Sequence, residues 1–157
     1  MADPASVALS FLHLLFALLW VGGTYFFYRV FQPGLAILPL ELQRKVNQRV
    51  GGRVVLLTWL AVAGVAATGL ASASLRGTLA LSDLAGTLRG QLLLAEAGVF
   101  VAAALLARRL AKTLPILWKE PSMEGVKSAQ VRVAKAARIQ LCLLLGVLLL
   151  EAARAGL

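Results

Sequence analysis

The chain has 157 residues, 60% of them hydrophobic, and a mean hydropathy of +0.84. An ordinary soluble domain is roughly 45–50% apolar, so this composition excludes a water-exposed globule and points to a bilayer. The formal net charge of +9 would suit a nucleic-acid binder, but the basic residues sit at the ends of apolar runs, where topology and anionic lipid account for them better.

A helix needs about 20 apolar residues to cross a hydrocarbon core, with a range of roughly 17–25, and four segments have that character. The first runs from Val7 to about Tyr28. Asp3 precedes it in place of a basic leader region, and no cleavage site follows, so this span is expected to be retained. Pro33 and Pro39 interrupt the connection that comes next, after which Glu41 to Val50 is expected to form a surface helix stopping at Gly51-Gly52.

The second span runs from Val54 to about Leu75, where Ala, Val, Gly and Thr replace much of the Leu. Small faces such as Gly64 to Gly69 predict close helix contact there. The third covers Gln91 to Ala107 and contains one carboxylate, Glu96; the fourth covers Ile139 to Ala153, with Ser128 to Arg138 extending its helix into the interface. Between these two lie Pro115, Trp118 and Pro121, and a Trp among basic residues reads as an interfacial anchor. Four helices use up the length, so residues 1–157 are expected to form one all-α domain, an integral membrane four-helix bundle. The single cysteine, Cys142, excludes an intramolecular disulfide and a Cys-rich metal site; it reads as a small apolar residue of span four.

Arginine and lysine set the orientation. Arg29, Arg44, Lys45, Arg49 and Arg53 follow span one; Arg108, Arg109, Lys112, Lys119, Lys127, Arg132, Lys135 and Arg138 lie between spans three and four. That is thirteen of the sixteen basic residues on one side. By the positive-inside rule this side is cytoplasmic, which places both termini and the loop from Ser72 to Gly90 outside and makes the chain a multi-pass protein of the inner (plasma) membrane.

His13, the only histidine, falls inside span one. An imidazole in a bilayer has lost its water and needs a carboxylate, a carbonyl or a metal as partner. At 1.5 Å per residue it lies roughly 9–10 Å below the outer boundary, level with Glu96 of span three, while span two brings Thr68 and Ser72 to the same half. Arg76, Arg89 and Arg154 lie outside. The cytoplasmic half offers no comparable cluster beyond Tyr25, Tyr28 and snorkelling arginines, so a polar site is expected in the outer half. His13 and Trp20, two helical turns apart, share a face, and Gly22-Gly23 follow. This pattern admits a flat, bulky ligand, with imidazole to coordinate it, indole to pack on it and Gly23 to allow close approach. Plain helix packing, with His13 bonded to Glu96 or a backbone carbonyl, is the alternative reading of the same residues.

Leu12-His13, Trp20-Val21-Gly22-Gly23 and Phe31-Gln32-Pro33-Gly34-Leu35 resemble the first helix of the copper-resistance protein D superfamily, where a Leu-His pair precedes Trp-x-Gly-Gly and Pro-x-Leu. The stretch is also similar to the related HemJ-type protoporphyrinogen oxidases, with Tyr28-Arg29-Val30-Phe31 matching their exit from helix one. The specific match covers about thirty residues. It implies a small membrane protein binding heme b, with His13 as axial ligand. HemJ-type enzymes use a lysine on a later helix, and this chain has none within a span. Cu(I) transport takes soft ligands in series, whereas Met1, Met123, Cys142 and His13 lie at different levels or outside the spans.

One histidine per chain leaves a heme five-coordinate, or six-coordinate through water or Glu96, and an open position favours O2, NO or oxidase chemistry over simple electron transfer. A homodimer with His13 near its two-fold axis would restore bis-His ligation. Heme propionates need cations, and Arg76, Arg89 and Arg154 are on the correct side. The expectation is therefore a heme b protein of redox or diatomic-gas chemistry, with Trp20 as the packing wall and Glu96 as a distal or supporting polar group. A metal or small-solute transporter, the second expectation, would require a polar path continuing into the cytoplasmic half. A purely structural subunit fixed by a His13–Glu96 pair is the third.

Overall fold

The computed structural model describes residues 4–75, 86–119 and 123–155, and all their regular elements are helical. Helix α1 spans Pro4–Phe26, continues without a break through a π-helical turn at Phe27–Phe31, and ends in a short helix α2 at Gln32–Leu35. Helix α3 spans Leu40–Leu75, α4 Leu88–Lys119 and α5 Met123–Ala155. Each of the four helical runs contains a stretch long and apolar enough to cross a membrane.

The π turn has a local cause. Pro33 lacks an N–H and its ring clashes with the carbonyl one turn back, so the helix upstream widens instead of breaking. The Gln32 N–H accordingly bonds to the Phe27 carbonyl five residues back. The helical run that contains span one thus continues to Leu35. One expectation is corrected: no helix stops at Gly51-Gly52, because α3 runs through both as one 36-residue rod. Two glycines cost a helix about 1 kcal/mol each, but Gly51 is buried, and the packing of the long helix outweighs the local penalty. Pro115 likewise lies within α4. Ser128 to Arg138 extend the fourth span as helix, as the sequence suggests.

At 1.5 Å per residue α3 is about 54 Å long, against a hydrocarbon thickness of about 30 Å. The surplus holds Arg44, Lys45 and Arg49, so the positive charges stand on helical turns rather than in loops. Between α2 and α3 the chain turns in residues 36–39, held by Leu38 N–H to Leu35 O at 3.0 Å and by the Gln43 side-chain amide donating to Leu38 O at 2.7 Å.

Packing is heaviest within two antiparallel hairpins, α1 with α3 and α4 with α5; the seam between the hairpins is lighter. Gly64 is what lets the first hairpin close, since a Cβ there would overlap the Phe16 ring, and Gly69 faces the His13 ring. The small-residue face read from the sequence is the contact face. Across the seam, Trp20 meets Phe100 edge to face with centroids 5.5 Å apart, and Ala17, Ala61, Val65, Ala103 and Leu144 complete that layer. A second layer joins Phe27, Leu110, Leu114, Val133 and Ala137 nearer the basic end.

The radial distribution of polarity is inverted relative to a soluble bundle. Phe11, Leu14, Leu18, Leu56, Leu70, Leu145 and many similar side chains are exposed, while His13, Thr24, Asn47, Thr68, Glu96 and Gln140 are buried. Water would not leave such a surface bare. Hydrocarbon would, so the chain is built as a multi-pass membrane protein.

Candidate functional site

The inward stripe of α1 is His13, Ala17, Trp20 and Thr24, followed by Phe27 in the π turn. His13 and Trp20 therefore do share a face. His13 is 8% exposed, and its Nδ1 lies 2.7 Å from Thr68 Oγ1 on α3. The Thr68 hydroxyl has a single proton and donates it back to the Gly64 carbonyl at 2.6 Å. At the His13 contact Thr68 must accept, so Nδ1 carries a proton and donates. The hydrogen bond sets the tautomer of the ring and fixes its orientation. Gly69 makes room for the arrangement, since a Cβ there would lie 3.3 Å from His13 Cε1.

A small cavity of about 20 Å³ lies in the seam beside this ring, lined by His13, Trp20, Phe100, Leu144 and Leu148 among others. A space of roughly 10–15 Å³ holds one water, so a water or a diatomic molecule fits as the helices are packed. Trp20 is 2% exposed, and its indole N–H is buried with no hydrogen-bond partner. Glu96 is buried on α4, about one turn before Phe100, which places it toward the His13 end of the seam as expected.

The other expected site residues divide as follows. Gly23 is on the exposed face of α1, with open space where a Cβ would go, and it does not line the His13 cavity. Arg76 lies outside the described residues, and so do the side chains of Arg89 and Arg154.

The expectation that the basic half lacks a polar cluster is overturned. A second seam cavity, of about 30 Å³, is lined by Thr24, Tyr28, Thr58 and Gln140 together with apolar residues of the first three helical runs. Gln140 is 2% exposed. Below it, Gln32 Nε2 donates to Asn47 Oδ1 at 2.9 Å, joining α2 to α3. A third cavity, of about 20 Å³, adds Gln43, Arg44 and Gln130. The signal that finds these residues is register: Val133, Ala137, Gln140, Leu144 and Val147 form the buried stripe of α5, and Gln140 is its one strongly polar member.

Among the described residues, no three His, Cys, Asp or Glu side chains come together as they would to hold a bare metal ion. Comparison with family models, with curated proteins and with solved structures yields no match for the chain.

Proposed function

We propose that the protein is a heme b-binding redox or diatomic-gas protein of the inner (plasma) membrane, with His13 as the axial ligand in the outer half of the bundle and both termini extracytoplasmic. The observation that supports this reading is the 2.7 Å contact between His13 Nδ1 and Thr68 Oγ1, which holds a buried imidazole in one orientation at the seam. The ligand inventory supports a porphyrin over bare copper: a porphyrin brings four nitrogens and asks the protein for one, whereas copper needs a set of side chains that the described residues do not assemble.

The macrocycle is much larger than a 20 Å³ cavity. The donor chemistry fits heme; the packed volume does not. Binding therefore requires the lighter seam between the hairpins to part, with Phe100, Leu144 and Leu148 giving way beside Trp20. When bound, heme would supply the redox centre and an open coordination position. The chain's own contribution is to hold Nδ1–H on Thr68, wall the site with Trp20 and exclude bulk water.

An absorption spectrum of the purified protein supplemented with heme tests the reading. A Soret band that is lost in His13→Ala, while the variant still inserts in the membrane, is the expected result; a mutant that retains its full heme content would remove His13 as ligand. A ferrous form that binds CO would support an open position, and half a heme per chain with no CO response would favour a bis-His homodimer. A reporter active only outside the cytoplasm should work when fused after Leu157, and activity from a cytoplasmic reporter alone would invert the topology.

A further inference from the structure

Trp20, Thr24, Tyr28 and Gln32 recur at every fourth residue of the first helical run, with His13 two turns before Trp20. These five residues line three cavities in order along the helix: His13 and Trp20 the first, Thr24 and Tyr28 the second, Gln32 the third. From His13 to Gln32 is 19 residues, about 28 Å at 1.5 Å per residue, which matches a hydrocarbon thickness of about 30 Å. The polar stripe thus runs on the inner side of the bundle from the basic end to the depth of His13, roughly 9–10 Å below the outer boundary, and leaves only that outer layer to be crossed.

Dry, these groups would be costly, because hydroxyls and amides taken out of water need compensating hydrogen bonds. The buried Trp20 N–H has none within the protein. The second and third cavities are of water size and carry several polar partners, Thr24, Thr58 and Gln140 around the second and Gln43, Arg44, Asn47 and Gln130 around the third, while the mostly apolar first cavity offers the Trp20 N–H and the His13 ring. A buried water needs two to four such partners and roughly 10–15 Å³, so the second cavity, at about 30 Å³, has room for about two.

We propose that this stripe is a proton path, in which water held in the three cavities relays protons between the basic end of the bundle and the level of His13. Each hop breaks one O–H bond and forms another, so a proton taken up at one end is matched by one released at the other, with no oxidant or reductant. Thr and Tyr hydroxyls donate and accept at one oxygen and so can pass a proton on, while the Gln140 amide, which donates from nitrogen and accepts at oxygen, holds the waters in line. Indole donates only. Trp20, standing between the first and second cavities, is therefore the constriction of the path: protons pass beside its ring rather than through it. The path stands independently of heme binding, since it rests on the cavities and their lining.

The test uses the full chain in vesicles of phosphatidylcholine and phosphatidylglycerol, with a pH-sensitive dye inside and a potassium diffusion potential as driving force. Wild type should carry protons at least about fivefold faster than protein-free vesicles, as expected of a water-lined path. Gln140→Leu should return the flux to background, Trp20→Ala should raise it severalfold, and Leu145→Ala, on the exposed face of α5, should leave it unchanged. Should Gln140→Leu lose its helical circular dichroism, Thr24→Val takes its place, with the same loss of flux expected. Wild-type flux equal to that of protein-free vesicles would overturn the path, as would wild-type flux in a folded Gln140→Leu or Thr24→Val protein. Loss of flux in Gln140→Leu with heme binding intact would separate the two proposals.

Discussion

The two halves of the bundle bury polar groups in different ways. Toward the termini, His13 is held by one short, directed hydrogen bond to Thr68, whose own proton is committed to Gly64, and the adjoining cavity is small and mostly apolar. Toward the basic end, Thr24, Thr58, Tyr28 and Gln140 surround a larger space, where the Thr58 hydroxyl is turned back onto the Val54 carbonyl. The first arrangement fixes one atom in place; the second surrounds a volume. The difference teaches that burial of polarity serves two ends here: a rigid imidazole suits a ligand that must be met at one angle, while a ring of neutral groups suits small mobile occupants.

The same chemical change, from polar to apolar at nearly constant volume, should therefore have opposite effects in the two halves. Thr68→Val removes the acceptor from His13 and leaves a buried imidazole N–H to find another, at a cost of roughly 1–3 kcal/mol. On the heme reading it also releases the ring that presents the ligand, and loss of such an outer partner typically lowers affinity about 10–100-fold. Heme titration and thermal unfolding in detergent, run side by side, check both. A Thr68→Val protein with wild-type heme affinity would show that the Nδ1 contact orients nothing.

Gly64→Val probes the hairpin that carries this contact. The new side chain overlaps the Phe16 ring, so either that ring must be displaced or α1 and α3 must move apart. Overpacking of this kind costs typically about 1–3 kcal/mol. The same substitution at Gly22, whose Cβ position is open, should cost no more than the lower helix propensity of Val. Equal unfolding midpoints for the two variants would mean that the α1–α3 contact is not as close as described.

Much of this was legible in the chain beforehand. Four spans, the shared face of His13 and Trp20, the small face of Gly64 and Gly69, and the helical extension before Ile139 all follow from periodicity and side-chain size. Helix ends were less so. Gly51-Gly52 reads as a stop because local propensity says so, and α3 passes through it because packing along a long rod outweighs about a kilocalorie per glycine. The inner polar ring escaped for a different reason. Thr24, Thr58 and Gln140 come from three helices, each an uncharged polar residue on a largely apolar face, and only their common register brings them to one cavity. His13 drew notice because an imidazole is conspicuous in hydrocarbon; its partner Thr68 is a hydroxyl that could have satisfied itself on its own helix.

The smallest expected effect, and the sharpest test of the contrast, is the stability of Gln140→Leu. Leucine is close to glutamine in volume and needs no hydrogen bonds, so the substitution removes the cost of desolvating an amide without opening a void. Replacing a buried polar group by an apolar one of similar shape is nearly neutral or stabilising, here by about 1 kcal/mol at most. The unfolding midpoint should therefore hold or rise in Gln140→Leu, whereas it should fall in Thr68→Val. Opposite signs would establish that the imidazole contact contributes to the fold while the inner amide is kept at no gain, or at a cost, to stability. A fall of more than about 1 kcal/mol in Gln140→Leu would instead make the amide a structural tie between the hairpins, and the two halves would then bury polarity for the same reason.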